Sequence, residues 1–129
     1  MRTMAEFLAS HWESGWAVTE IKGALDTATA RGLCDFVAAA AEHRHLFHLI
    51  VDLTEATDAD ADGISSLTSL RPLLGEGRAE LRLVCPEGRV KRILTSSGLP
   101  QILPVYPSLD AALAAPRATS ADRAEGAVQ

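Results

Sequence analysis

Strand-like and helix-like segments alternate along this chain, and the alternation predicts an α/β sandwich: a mixed sheet of about four or five strands covered by about four helices. Two further observations support that class. Phe47 to Leu53 is a nearly continuous apolar run with a β-branched centre, as in a strand covered on both faces. Leu33, Phe36, Val37, Ala40 and Ala41 recur at helical spacing, and so do Ile64, Leu67, Leu70 and Leu74.

In chain order, Phe7 to Trp12 and Ala17 to Lys22 read as two strands around Glu13-Ser14-Gly15, whose Ser-Gly pair supplies the turn of a hairpin. Trp12 and Trp16 flank that turn, as sheet packing or as contact residues. Gly23 ends the second strand. Asp26 or Thr27 can cap the next helix through a side-chain oxygen, and the periodicity predicts it over Thr27 to His43. After the central strand and an acidic loop, the second helix carries Pro72, which bends it or ends it early, and Gly75 and Gly77 terminate it. Ala79 to Cys85 is a strand stopped by Pro86. Val90, Ile93 and Leu94 form a third helical stripe ended by Gly98. Ile102 to Tyr106 is a short last strand, and Ser108 caps a last helix through Leu113. From Ala115 onward no periodicity remains, which predicts a domain over residues 1–114 and a disordered tail over 115–129.

A chain of 129 residues suits one domain. A net charge of −5 argues against nucleic acid as a partner. Arg78, Arg82, Arg89, Lys91 and Arg92 form a mild basic cluster, but Glu76, Glu80 and Glu87 dilute it into a solvated face. No apolar run reaches the ~20 residues that span a membrane, and the N-terminus lacks the apolar stretch of a signal peptide. Cys34 and Cys85 read as two buried thiols of a reducing cytoplasm. His43, His45 and His48 cluster without an acid or cysteine that would complete a metal site, so a solvated helix end is the reading. No Ser-His-Asp order, glycine-rich phosphate loop or CxxC motif is present, so neither catalysis nor a cofactor is expected.

The segment Asp58-Ala59-Asp60-Ala61-Asp62-Gly63 is the most distinctive stretch. Counted from Asp58, it matches positions 1, 3, 5 and 6 of an EF-hand loop, but position 12 is Ser69 rather than a bidentate glutamate. A strand, not a helix, precedes it. These departures demote the calcium-loop reading. A weak cation site is more plausible, because Asp52, Glu55, Asp58, Asp60 and Asp62 follow one another with no basic residue between them. Asp62 stands just before the apolar helical pattern, where its carboxylate would cap the free N–H groups and meet the positive end of the helix dipole. A phosphate would be welcome in the same place.

The motifs also follow a recognisable order: Gly23-Ala24-Leu25-Asp26, then Leu49-Ile50-Val51-Asp52-Leu53, then Asp60-Ala61-Asp62-Gly63-Ile64 with Leu67. Later come Leu81-Arg82-Leu83-Val84, Val90 to Leu94, Ser97-Gly98-Leu99 and Tyr106-Pro107-Ser108-Leu109-Asp110-Ala111-Ala112. This order resembles the STAS domain family, the anti-sigma factor antagonists of bacteria, over about Phe7 to Ala114. The resemblance implies a STAS-like mixed sheet and a cytoplasmic regulatory protein, monomer or homodimer, that binds an anti-sigma factor with serine-kinase character. In the family that loop commonly reads D-S-S-G, with the second serine as phosphoacceptor. Here Asp60 and Gly63 match, Ala61 replaces the first serine, and Asp62 holds the phosphoacceptor-equivalent position.

The implied contact surface joins the Gly23–Asp26 turn, the acidic loop and the exposed face of the second helix. Asp62 and Ser66 would be central, Asp26 and Asp60 at the edge, with Gly63, Ser65 and Ser69 completing it. Three roles for Asp62 follow. It imitates a phosphoserine in part, with about −1 charge against −1.5 to −2. Or the partner recognises it directly through an Arg or Lys. Or regulation passes to another hydroxyl: Ser65, Ser66 and Ser69 on the face opposite Ile64, Leu67 and Leu70, or Thr54 and Thr57 in the loop. The competing readings are an accessory subunit of a lipid transport ATPase complex and a small-ligand or cation-binding module at the acidic loop.

Overall fold

The computed structural model describes residues 8–13, 15–43, 48–74 and 79–116. The five-stranded main sheet has the order β1-β2-β4-β6-β7, built from β1 (Leu8–Glu13), β2 (Trp16–Ile21), β4 (His48–Asp52), β6 (Leu81–Val84) and β7 (Val105–Tyr106). β1 and β2 form the antiparallel hairpin, and Gly15 takes the positive φ of 85° in its turn. The β2–β4, β4–β6 and β6–β7 pairs are parallel. A sheet of this kind is the mixed α/β architecture expected from the alternation of elements.

Side chains alternate between the two faces of the sheet, so each strand feeds two cores. Ala17, Ile21, Leu49, Val51, Leu81 and Leu83 face the larger one. Helix α1 (Thr27–His43) adds Leu33 and Val37, and α2 (Ala61–Thr68) adds Ile64 and Leu67. Leu70 comes from α3 (Leu70–Leu73), and Val90 and Leu94 from α4 (Arg89–Ser97). On the opposite face Trp16, Val18, Ile50 and Val84 pack under Ala112 of α5 (Leu109–Ala114), with Leu109 and Leu113 partly buried beside them. The apolar run of β4 is thus explained: Leu49 and Val51 face one core and Ile50 the other.

Several boundaries match the sequence reading. α1 begins at Thr27 with Asp26 as its cap, whose Oδ1 accepts the Thr29 N–H at 3.0 Å. α4 ends on Gly98 in the left-handed region, and Ser108 caps α5 by accepting the Ala111 N–H at 3.1 Å. The second helix is broken. α2 stops at Thr68 and α3 starts at Leu70, because Pro72 has no N–H to donate to the Thr68 carbonyl one turn back. The last strand shrinks to Val105–Tyr106. Gly75 and Gly77, the tail over 117–129, and the side chains of His43 and His45 lie outside the described residues.

Two features depart from the sequence reading. The first is a parallel pair of very short strands, β3 (Gly23–Leu25) and β5 (Ala56–Ala59), where only a turn and an acidic loop were expected. The Gly23 N–H donates to the Glu55 carbonyl at 3.2 Å and starts the pairing. The second is Arg82. The solvated face expected around it does not exist at this position: Arg82 is 2% exposed, in the middle of the second core. Its guanidinium lies 4.4 Å from the centroid of the Trp16 ring and 5.5 Å from that of Tyr106. Nη1 donates to the carbonyls of Ala112 and Ala115, and Nη2 to that of Pro116 at 2.9 Å. The Glu80 carboxylate pairs with it at 3.1 Å. A buried guanidinium is tolerated only with such compensation, here from a carboxylate, two aromatic faces and the negative end of the α5 dipole. Trp16 is accordingly a core residue, whereas Trp12 is exposed.

Candidate functional site

The β3–β5 pair sets the N-termini of α1 and α2 side by side. The Asp60 N–H donates to the Leu25 carbonyl at 3.2 Å, which ties the entry of α2 to the residue just before Asp26. Gly63 makes this approach possible. A Cβ built on it would lie 2.1 Å from the Leu25 oxygen, so no other residue fits without displacing backbone.

The cap of α2 is Asp60, not Asp62. Asp60 has extended backbone (φ −117°, ψ 173°), and its Oδ1 accepts the Gly63 N–H at 2.8 Å. The helix therefore starts earlier than the apolar stripe suggests, and Asp62 falls in its exposed first turn. Freed from capping, Asp62 reaches towards α1, where its Oδ2 accepts the Thr27 hydroxyl at 3.5 Å. No local pattern in the sequence announces that pairing. Asp26 flanks it, and the backbone N–H of Thr29, then the Thr29 side chain, hold its carboxyl below the ordinary value of 3.8.

The hydroxyls are distributed along α2. Ser65 is exposed, and Ser66 is half-buried with its hydroxyl donated to the Asp62 carbonyl at 2.9 Å. Ser69 is exposed at the C-cap, about 10 Å along the helix from Asp62 at 1.5 Å per residue. Asp26, Thr27, Asp60 and Asp62 thus form one surface, Ser65 and Ser66 continue it, and Ser69 marks its far end, whereas Gly63, expected among the contact residues, is buried against Leu25 beneath it. Thr54 and Thr57 are exposed, but Thr57 lies in β5 rather than in the loop expected there.

The carboxylates of the acidic segment do not converge. Asp52 accepts the Thr54 N–H at 2.9 Å, and Asp58 accepts the Ala59 N–H at 2.8 Å and pairs with Arg89 at 3.4 Å. The Ala59 N–H first, and Arg89 next, lower the Asp58 carboxyl below 3.8. Among the described residues no group of three His, Cys, Asp or Glu side chains could hold a metal ion. Asp58 lies in β5 and Asp60 follows it with extended backbone as the cap of α2, so the chain does not fold the two around a centre. At the ends of β4 and β6 a cleft of about 120 Å³ lies between Leu53, Thr57, Cys85, Gly88 and Arg89. Burial raises the Cys85 thiol above its ordinary range, which keeps it protonated and unreactive.

Comparison with proteins of curated function finds no significant match. Among solved structures, the fold is similar to an anti-sigma factor antagonist from Mycobacterium paratuberculosis, with a TM-score of 0.71 at 24% identity over 82% of this chain and 89% of that one. The anti-sigma factor antagonist SpoIIAA in its unphosphorylated form matches with a TM-score of 0.62 at 14% identity over 92% of this chain and 98% of that one. A sulfate transporter family protein from Wolinella succinogenes matches with a TM-score of 0.62 at 20% identity over 81% and 86%. At these identities the likeness establishes the fold. The family model of the STAS domain matches residues 13–112, which span β2, the α1–α2 surface and most of α5. This chain belongs to the STAS domain family.

Proposed function

We propose that this domain acts as an anti-sigma factor antagonist, binding a kinase-type anti-sigma factor through the surface where α1 and α2 begin. The observation that carries the reading is the placement of Asp62. It is exposed in the first turn of α2 and beside the N-terminus of α1, while Asp60 does the capping, and the resemblance in motif order gives it the family's phosphoacceptor-equivalent position. A carboxylate there supplies about one negative charge against the −1.5 to −2 of phosphoserine, and it cannot be esterified by a serine kinase. Phosphorylation therefore does not switch binding at this position. Asp26, Asp60, Ser65 and Ser66 frame the contact, and Ser69 borders it.

The test measures the affinity of the cognate anti-sigma factor for the wild type, Asp62→Ser and Asp62→Ala. Tighter binding of both variants supports partial phosphomimicry, and loss of binding in both supports direct recognition of the carboxylate. If no anti-sigma factor co-purifies with the protein from its native cell, the proposal fails. A second reading, a STAS domain that serves a transporter, draws on the shared fold with a sulfate transporter family protein. It predicts co-purification with membrane-bound transport subunits instead.

A further inference from the structure

We infer that α5 is a strap that opens while the rest of the domain stays folded, and that buried Arg82 is its latch. α5 has six residues, well short of the length at which a helix is stable alone. Its apolar hold is slight: Ala112 is fully buried, whereas Leu109 and Leu113 are partly so. Its polar hold converges on one side chain, because the Arg82 guanidinium takes the carbonyls of Ala112, Ala115 and Pro116 at the end of the helix. Those carbonyls have no further helical turn to bond to, so Arg82 closes the helix and fastens it to the sheet in one contact.

Opening α5 also has a compensation that opening α1 or α2 lacks. The second core encloses a charge, and once the strap lifts, Arg82 regains water while keeping Glu80 and the Trp16 and Tyr106 rings as neighbours. The larger core encloses apolar side chains almost throughout, and exposing them recovers no solvation. Among the described residues α5 is the only helix in the second core. Its release bares Trp16, Val18, Ile50 and Val84 around a guanidinium.

Amide hydrogen exchange on the full chain tests this. The amides of Ala112, Leu113, Ala114 and Ala115 are expected to exchange at least about tenfold faster than those of Ile50 and Val51, through an opening with a smaller denaturant dependence than global unfolding. The double variant Arg82→Met/Glu80→Gln removes the latch without leaving a lone buried carboxylate, and should speed α5 exchange by a further factor of about ten with Ile50 and Val51 unchanged. Leu113→Ala, which leaves Arg82 and Glu80 in place, should also speed α5 selectively. Equal protection of α5 and β4 in the wild type overturns the inference, as does equal acceleration of both in either variant.

Discussion

Asp60 and Asp62 differ by two positions and have different duties. Asp60 satisfies a free N–H at the start of α2, whereas Asp62 points its carboxylate to the Thr27 hydroxyl from an exposed turn. Asp60→Ala should therefore cost about 1 kcal/mol in urea denaturation, the usual value of an N-cap. Asp62→Ala should cost less, about 0.3–1 kcal/mol, because it loses a dipole interaction and one long hydrogen bond at an exposed site. Gly63→Ala is a harsher change than its size suggests. The added methyl meets the Leu25 carbonyl, which belongs to a paired strand and cannot move freely, so a loss of about 1–3 kcal/mol is expected in the same measurement. The sequence marks all three residues as special, but assigns the cap two positions too late. The first apolar residue of the stripe is Ile64, and Ala61 and Asp62, already helical, are exposed and leave no apolar trace.

At the scale of elements, caps and stripes were legible and short strand pairs were not. α1, α4 and α5 carry their start and stop signals within a few residues of their ends, at Asp26, Gly98 and Ser108. β3 and β5 have Gly, Ala, Thr and Asp in place of β-branched apolar runs, and neither would be extended without the other. Their pairing is what aligns the starts of α1 and α2. The cap of α1 also makes a pH prediction. The Asp26 carboxyl is held below 3.8 in the fold, so its contribution is fully present above that pH and is lost as the pH falls through the lower, folded value. Asp58 acts in the same direction. Urea midpoints at pH 6 and pH 3 should therefore differ less in Asp26→Asn than in the wild type, because asparagine caps a helix without titrating.

At the scale of the molecule, the main sheet is covered on both faces, and the two coverings are unlike. The larger core is apolar and is closed by α1 to α4. The smaller one surrounds Arg82 and is closed by α5. Ile50, at the centre of β4, belongs to the smaller core and is fully buried there. Ile50→Ala should cost about 2–5 kcal/mol in urea denaturation, as for any filled core position. A cost near zero would mean that α5 does not pack on the sheet in solution.

The amino-acid sequence by itself determined the α/β class, the hairpin, the helices at α1, α4 and α5, the buried central strand, and an order of motifs sufficient to identify the family. All of these rest on periodicity, caps and turns, which act between residues a few positions apart. Only the tertiary structure decided that Asp60 is the cap of α2, that β3 pairs with β5, that Asp62 meets Thr27, and that Arg82 is buried. The last three depend on groups distant in the chain: Thr27 and Asp62 are 35 residues apart, and Arg82 and Pro116 are 34 apart. A charge such as Arg82 reads as surface in any local window, because the carbonyls and rings that make its burial tolerable come together only when the chain has folded.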